Sequence, residues 1–131
     1  MSITLSFETP RTPDTVKKLW DTVPWAAGRD PESIMRALLG SSLVVTAWDG
    51  DRLVGTARVM TDGVYYMTLW DVIVEPAYQG QGIGTQLTEA AVAPFRDRGF
   101  SYIALFAADG KAAFYERLGF SIHPRGMRLN D

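Results

Sequence analysis

From residue 2 the chain alternates, with Ile3, Leu5 and Phe7 set between Ser2, Thr4 and Ser6, and this period of two predicts a strand over residues 2–8. Thr12-Pro13-Asp14 then offers an N-cap with Pro at the first helical position, ahead of Val16, Leu19 and Trp20. Asp30-Pro31-Glu32 repeats the signal ahead of Ile34, Met35, Leu38 and Leu39, and Gly40 is the stop. Pro24-Trp25-Ala26-Ala27-Gly28 reads as the loop between these helices. Three apolar runs follow, 43–48, 53–61 and 64–74, divided by the turns Asp49-Gly50-Asp51 and Asp62-Gly63, which predicts three consecutive antiparallel strands. A helix is expected from about Ile83 to Arg98, with Leu87, Ala91 and Phe95 along one face and Gly99 as its end. Pro94 lies inside it, where a missing N–H and a ring clash cost about 3 kcal/mol, so a kink or an early loosening of the last turn is expected. A short strand over 102–106 comes next. A helix over 111–118 follows, started by Asp109 or Gly110 and ended by Gly119, and a last pair of strands at 120–122 and 127–129 flanks His123-Pro124-Arg125-Gly126. The order is β-α-α-β-β-β-α-β-α-β-β.

At 131 residues and 47% hydrophobic content the chain encloses one core, so a single domain over 1–131 is expected. Thirteen basic and fifteen acidic residues give a net charge of −2 without a basic run, and a nucleic-acid partner is not expected. The absence of cysteine removes disulfides, thiolate metal sites and a Cys nucleophile, and a lone His removes a multi-histidine metal site. The N-terminal alternation is not that of a signal peptide, and no run approaches the roughly 18 apolar residues of a membrane span. A soluble cytoplasmic protein with no membrane partner is the expectation.

The chemistry concentrates at Gln79-Gly80-Gln81-Gly82-Ile83-Gly84-Thr85, which links the strand Val72-Ile73-Val74 to a helix start. Glycines 80, 82 and 84 put no Cβ in a ligand's way and tolerate positive φ, so several N–H groups can turn toward one anion. The helix adds its free first-turn N–H groups and the positive end of its dipole, roughly half an elementary charge. A phosphate-bearing ligand is therefore expected. The spacing fits neither a dinucleotide fingerprint, whose third Gly would fall at Thr85, nor a P-loop, since no Lys follows the glycines.

Gln79-x-x-Gly82-x-Gly84 instead resembles the Gln/Arg-x-x-Gly-x-Gly/Ala pyrophosphate loop of the GCN5-related N-acetyltransferases, the GNAT family. Downstream, Lys111-Ala112-Ala113-Phe114-Tyr115-Glu116-Arg117-Leu118-Gly119-Phe120 resembles the family's late helix, in the family's order and separation. The resemblance implies an α/β (α+β mixed sheet) fold, acetyl-CoA as cosubstrate without a metal, and transfer of the acetyl group to a primary amine in a ternary complex. Asp49-Gly50, Leu53-Val54-Gly55, Arg58, Thr61-Asp62-Gly63, Trp70 to Val74 and Arg125-Gly126-Met127 look like the plastid-type and bacterial branch that holds serotonin-type arylalkylamine and lysine acetyltransferases. A small-molecule or lysine amine is then the acceptor, and a homodimer is compatible with the resemblance.

Direct transfer needs a neutral amine, an oxyanion donor and a proton for the departing thiolate. Asp71, just before the cofactor loop, is the first candidate for the base, with Glu75 or Asp62 next; a purely structural carboxylate is the alternative for Asp71. Tyr115 corresponds to the family's general acid, and a pKa near 10 keeps it protonated at neutral pH. The resemblance assigns the cofactor to the backbone of Val72, Ile73 and Val74, one of whose N–H groups would polarise the thioester carbonyl, and to loop residues 79–85 and Phe114. Where most relatives carry an Asn seven residues before the Tyr this chain has Ala108, and Asp109 is the substitute considered. Trp25, in the loop that walls the family's acceptor pocket, and Trp70 are the substrate-pocket candidates, while the remaining Trp and Tyr65 and Tyr66 are expected mostly in the core, and His123 on the surface. Two other functions use the same residues: an acyl-CoA-binding sensor without activity, and a nucleotide-binding protein.

Overall fold

The two Asp-Gly turns produce the expected meander. A computed structural model describes residues 2–130 and contains β1 (Ile3–Ser6), α1 (Pro13–Trp20), α2 (Pro31–Gly40), β2 (Leu43–Asp49), β3 (Arg52–Thr61), β4 (Tyr66–Val74), α3 (Ile83–Val92), β5 (Tyr102–Leu105) and α4 (Ala112–Arg117). The sheet runs β1-β2-β3-β4-β5, antiparallel through β4, with β5 parallel to β4 across the α3 crossover. Both faces are covered. Val45, Ala47, Ala57 and Leu69 pack with Ile83, Leu87, Ala91 and Phe95 of the α3 side, whereas Val44, Leu53 and Ile73 pack with Val16, Leu19, Trp20, Ile34 and Leu38 of α1 and α2. A sheet buried on both sides explains why β2 and β3 read as continuous apolar runs rather than as alternation.

Asp30 caps α2 by accepting from the Ser33 N–H at 2.9 Å, while Thr12 stands at the N-cap of α1 without a side-chain cap bond. Gly55 sets how closely β3 and α3 approach: a Cβ there would lie 2.8 Å from Leu87 Cδ1 and 3.3 Å from both Ala47 Cβ and Ile83 Cγ2. All three neighbours are buried, so Gly55→Val should cost about 1–3 kcal/mol through overpacking, read as a lower urea midpoint at unchanged slope.

The structure departs from the sequence pattern in four places. Val64 and Tyr65 do not join β4, because the Asp62 carboxylate accepts the N–H groups of Val64, Tyr65 and Tyr66 and closes a turn; the first of these bonds contributes most to holding its carboxyl below the usual carboxylate range. Helix α3 stops at Val92 instead of reaching about Arg98, and Pro94 sits in a 3₁₀ turn over Ala93–Phe95, in keeping with the early loosening expected of its ring. Neither Asp109 nor Gly110 caps α4, whose N-cap is Lys111. The last strand pair is not formed: residues 121–130 carry no ladder, Pro124 and Gly126 interrupt them, and Ile122, Met127 and Leu129 are exposed, so no apolar face repays pairing. Tyr65 and Tyr66 are exposed rather than core, and of the tryptophans only Trp20 is fully buried.

Candidate functional site

The site begins with a fault in β4. Thr56 pairs with Ile73 but Arg58 pairs with Trp70, so Asp71 and Val72 together stand opposite Ala57, a β-bulge. Asp71 takes a left-handed φ of 50°, unusual for a residue with a side chain. On the other edge, parallel pairing ends at Leu69 and Leu105, immediately before the bulge, although β4 continues to Val74. Beyond Leu69 this edge of β4 therefore has no strand partner among the described residues. Beyond the bulge the Glu75 N–H bonds Val54 O, and alternation then turns Ile73 toward β3 and the amides of Val72 and Val74 away from it. The Ile73 side chain is buried under α1 and α2 and its amide faces β3, so the free edge presents the backbone of Val72 and Val74.

That free edge lines a cavity of about 1000 Å³. Beyond Val74 the cavity floor is the glycine loop. Gly80 and Gly82 take φ of 82° and 84°, and a Cβ at either would meet nothing within 4 Å, so their backbone is open to a ligand. Gly84 is different. It lies inside α3 with ordinary helical backbone, and a Cβ there would lie 3.3 Å from Phe114 Cζ and 3.7 Å from Val74 Cγ2, so it is needed for packing rather than for positive φ. Helix α3 starts after Gly82 with no side-chain cap, which leaves its first-turn N–H groups for an anion. Ile83 and Thr85 also line the cavity, while Gln81 does not. Gln79 lines it too, but its carboxamide donates to Val74 O at 3.1 Å, tying the loop back to the strand. Asp109 and Phe114 border the same space, with Lys111 and Arg117 as cations beside them. A pyrophosphate-bearing ligand fits these donors.

Tyr115 reaches the cavity from α4. Its ring is wedged edge-on between Phe114 and Phe120, with centroids at 4.9 and 5.9 Å, and this half-burial pushes its hydroxyl above its ordinary pKa of 10.0. Trp25, 51% exposed in the α1–α2 loop, and Trp70, which packs against Phe106 at 5.6 Å, line the same cavity. The expected acceptor pocket and cofactor loop thus open into one space.

Asp71 lines that space, but its side chain is only 7% exposed. Arg29 grips it with two bonds, Nη1 to Oδ2 at 3.0 Å and Nη2 to Oδ1 at 3.3 Å, and Arg58 Nε donates to Oδ2 at 2.9 Å. Both guanidiniums lie over the Trp20 ring, at 4.9 and 5.8 Å from its centroid. Arg58 also donates to Ala37 O and Ser41 Oγ at the end of α2. The two alternative carboxylates do not line the cavity: Glu75 pairs with Arg52 and accepts the Ala77 N–H, and Asp62 closes its turn. Sequence reading missed Arg29 as a site residue. Its only local signal is its place between Gly28, which turns the chain with φ of 87°, and the α2 cap Asp30.

The chain is similar to known proteins in sequence and in fold. A family model for the acetyltransferase (GNAT) domain matches residues 40–122. The chain is 35% identical over 131 residues to an uncharacterized ycf52-like N-acetyltransferase of Prochlorococcus marinus, an alignment covering 95% of this chain and 72% of that protein. It is 39% identical over 104 residues to the chloroplastic serotonin N-acetyltransferase 2 of Oryza sativa subsp. japonica, covering 76% of this chain and 52% of the plant protein, so it spans about half that relative's length. Among solved structures, a GNAT-family acetyltransferase of Streptococcus pneumoniae TIGR4 superposes with a TM-score of 0.84 at 29% identity, covering 99% of this chain and 98% of that one. With a domain model matching most of the chain and a relative 35% identical over nearly all of it, the chain belongs to the GNAT family of acetyltransferases.

Proposed function

We propose that the protein transfers an acetyl group from acetyl-CoA directly to a primary amine, both bound together. The observation that carries this is the convergence on one cavity of the open amides at Gly80 and Gly82, the unpaired edge of β4 and the Tyr115 hydroxyl. The loop amides and the start of α3 hold the pyrophosphate. The free edge of Val72 to Val74 binds the pantetheine arm, and one of its N–H groups stabilises the charge that grows on the acyl oxygen. Tyr115 supplies the proton to the departing thiolate, a task its raised pKa suits because the hydroxyl stays protonated across the neutral range. No cysteine is available for a thiol-linked acyl-enzyme.

The amine must arrive neutral, and at pH 7 deprotonating an amine of pKa about 10.4 costs roughly 4–5 kcal/mol. Asp71 was the expected base. Both of its oxygens already accept from guanidinium donors, and its side chain is only 7% exposed. Water in the cavity is therefore assigned the proton, with Asp71 given another role below. Trp25, Trp70 and Phe106 form the wall against which the acceptor lies.

Thiol release from acetyl-CoA across a panel of arylalkylamines and lysine peptides tests this reading. Turnover with intersecting initial-rate lines is expected, and CoA should raise the melting temperature where NAD does not. CoA binding with no thiol release on any amine would replace it with an acyl-CoA-binding module. Stabilisation by NAD alone would replace it with a nucleotide-binding one.

A further inference from the structure

Resting on the acetyl-transfer reading, we propose that Asp71 is a positioning residue that works through its backbone conformation: Arg29 and Arg58 clamp its carboxylate, hold it left-handed, and so fix the β-bulge that aims the free β4 amides at the acyl group. Four observations meet at this one residue. Asp71 has positive φ in the middle of a long strand, where side-chain-bearing residues are strained. The bulge places it and Val72 opposite Ala57, and β4 loses its parallel partner at the preceding pair. Its carboxylate is held by the two guanidiniums and is 7% exposed. Its carbonyl lies 3.5 Å from Thr56 Oγ1, which in turn receives the Trp20 indole N–H at 2.9 Å, so the residue is also steadied from below.

The clamp has two unlike arms. Arg58 is 13% exposed and bonded to the end of α2, so it joins Asp71 to the helical layer. Arg29 is 36% exposed, lines the cavity, and belongs to the same loop as Trp25; its own carbonyl is held by Lys17 Nζ at 3.0 Å. Through Arg29 the acceptor wall and the acyl-binding strand are fixed to one carboxylate.

Substitutions at 71 separate conformation from proton transfer, because Gly adopts positive φ freely, Asn adopts it more readily than most, and Ala resists it. Two quantities are measured for Asp71→Gly, Asp71→Asn and Asp71→Ala: the ratio of acetyl-CoA to CoA affinity by calorimetry, which needs no amine, and kcat with the best amine. If one amide is aimed at the acyl carbonyl, Asp71→Ala should lower the affinity ratio about threefold to tenfold, the worth of one hydrogen bond, with affinity for CoA itself within twofold of wild type. Asp71→Gly and Asp71→Asn should keep the ratio and exceed Asp71→Ala in kcat by at least tenfold. Equal kcat losses in all three with the ratio unchanged would make the carboxylate a proton acceptor and overturn the proposal. So would an Asp71→Ala variant equal to wild type in both measurements. If Asp71→Gly leaves Arg58 so poorly paired that it does not fold, the Asn and Ala pair decides. A wild type that turns over no amine refutes the transfer reading, and the affinity ratio still decides whether the backbone conformation at 71 aims the amide.

Discussion

Tyr115→Phe should lower kcat by about 10²- to 10⁴-fold, or about 3–5 kcal/mol of barrier, while CoA affinity stays within a factor of two. The substitution removes one oxygen and keeps the ring that Phe114 and Phe120 pack edge-on, so the fold has no reason to change. With that packing kept, the melting temperature should hold. The hydroxyl acts as the carbon–sulfur bond breaks, which is why the loss belongs in kcat rather than in binding. The pH profile offers a second reading. Half-burial raises the pKa, so the acid remains protonated below its ordinary value of 10.0 and activity depending on it declines only as pH rises beyond that value. A variant releasing CoA at the wild-type rate would leave water or the amine's own proton as the acid.

What could be read from the sequence divides along the range of the forces involved. The helix starts at Thr12-Pro13 and Asp30-Pro31, the meander and the effect of Pro94 are local, and each appears within a residue or two of its predicted place. Local signals failed where tertiary burial decides. Met127 and Leu129 have strand-like spacing, yet with Pro124 and Gly126 beside them and no face to cover they remain exposed and unpaired. Tyr65 and Tyr66 look like core by composition, but Asp62 turns the chain beneath them and they face solvent. The glycine loop and Tyr115 were legible as motifs, each within ten residues. The Arg29–Asp71–Arg58 cluster was not, because its members are 42 and 13 positions apart and only the packing of the α1–α2 loop against the sheet brings them together. The same holds for the bulge, a mismatch between two strands that neither strand's sequence reveals by itself.

The largest effect on binding is expected at Gly82. Its φ of 84° is one that a β-branched residue resists, and nothing lies within 4 Å of where its Cβ would point, so Gly82→Val combines backbone strain with a side chain projecting from the loop where the ligand approaches. Misdirecting one or two amides from a pyrophosphate forfeits charge-assisted hydrogen bonds of about 1.5–3 kcal/mol each, and CoA affinity should fall by about 10- to 10⁴-fold. Strain alone could produce a smaller loss through general destabilisation, and Gly50 supplies the control. It too has positive φ, 58°, and open space at its Cβ, but it lies in the β2–β3 turn away from the cavity. Gly50→Val should therefore lower the melting temperature and leave CoA affinity unchanged. Gly84→Val tests the other role of glycine here: its branched side chain presses on Phe114 and Val74, so affinity should fall through displacement of the cavity wall while the loop amides keep their direction. Calorimetry on the three folded variants separates these cases. Wild-type CoA affinity in Gly82→Val would show that the phosphates bind elsewhere, with Lys111 and Arg117 on the α4 side as the next donors to test.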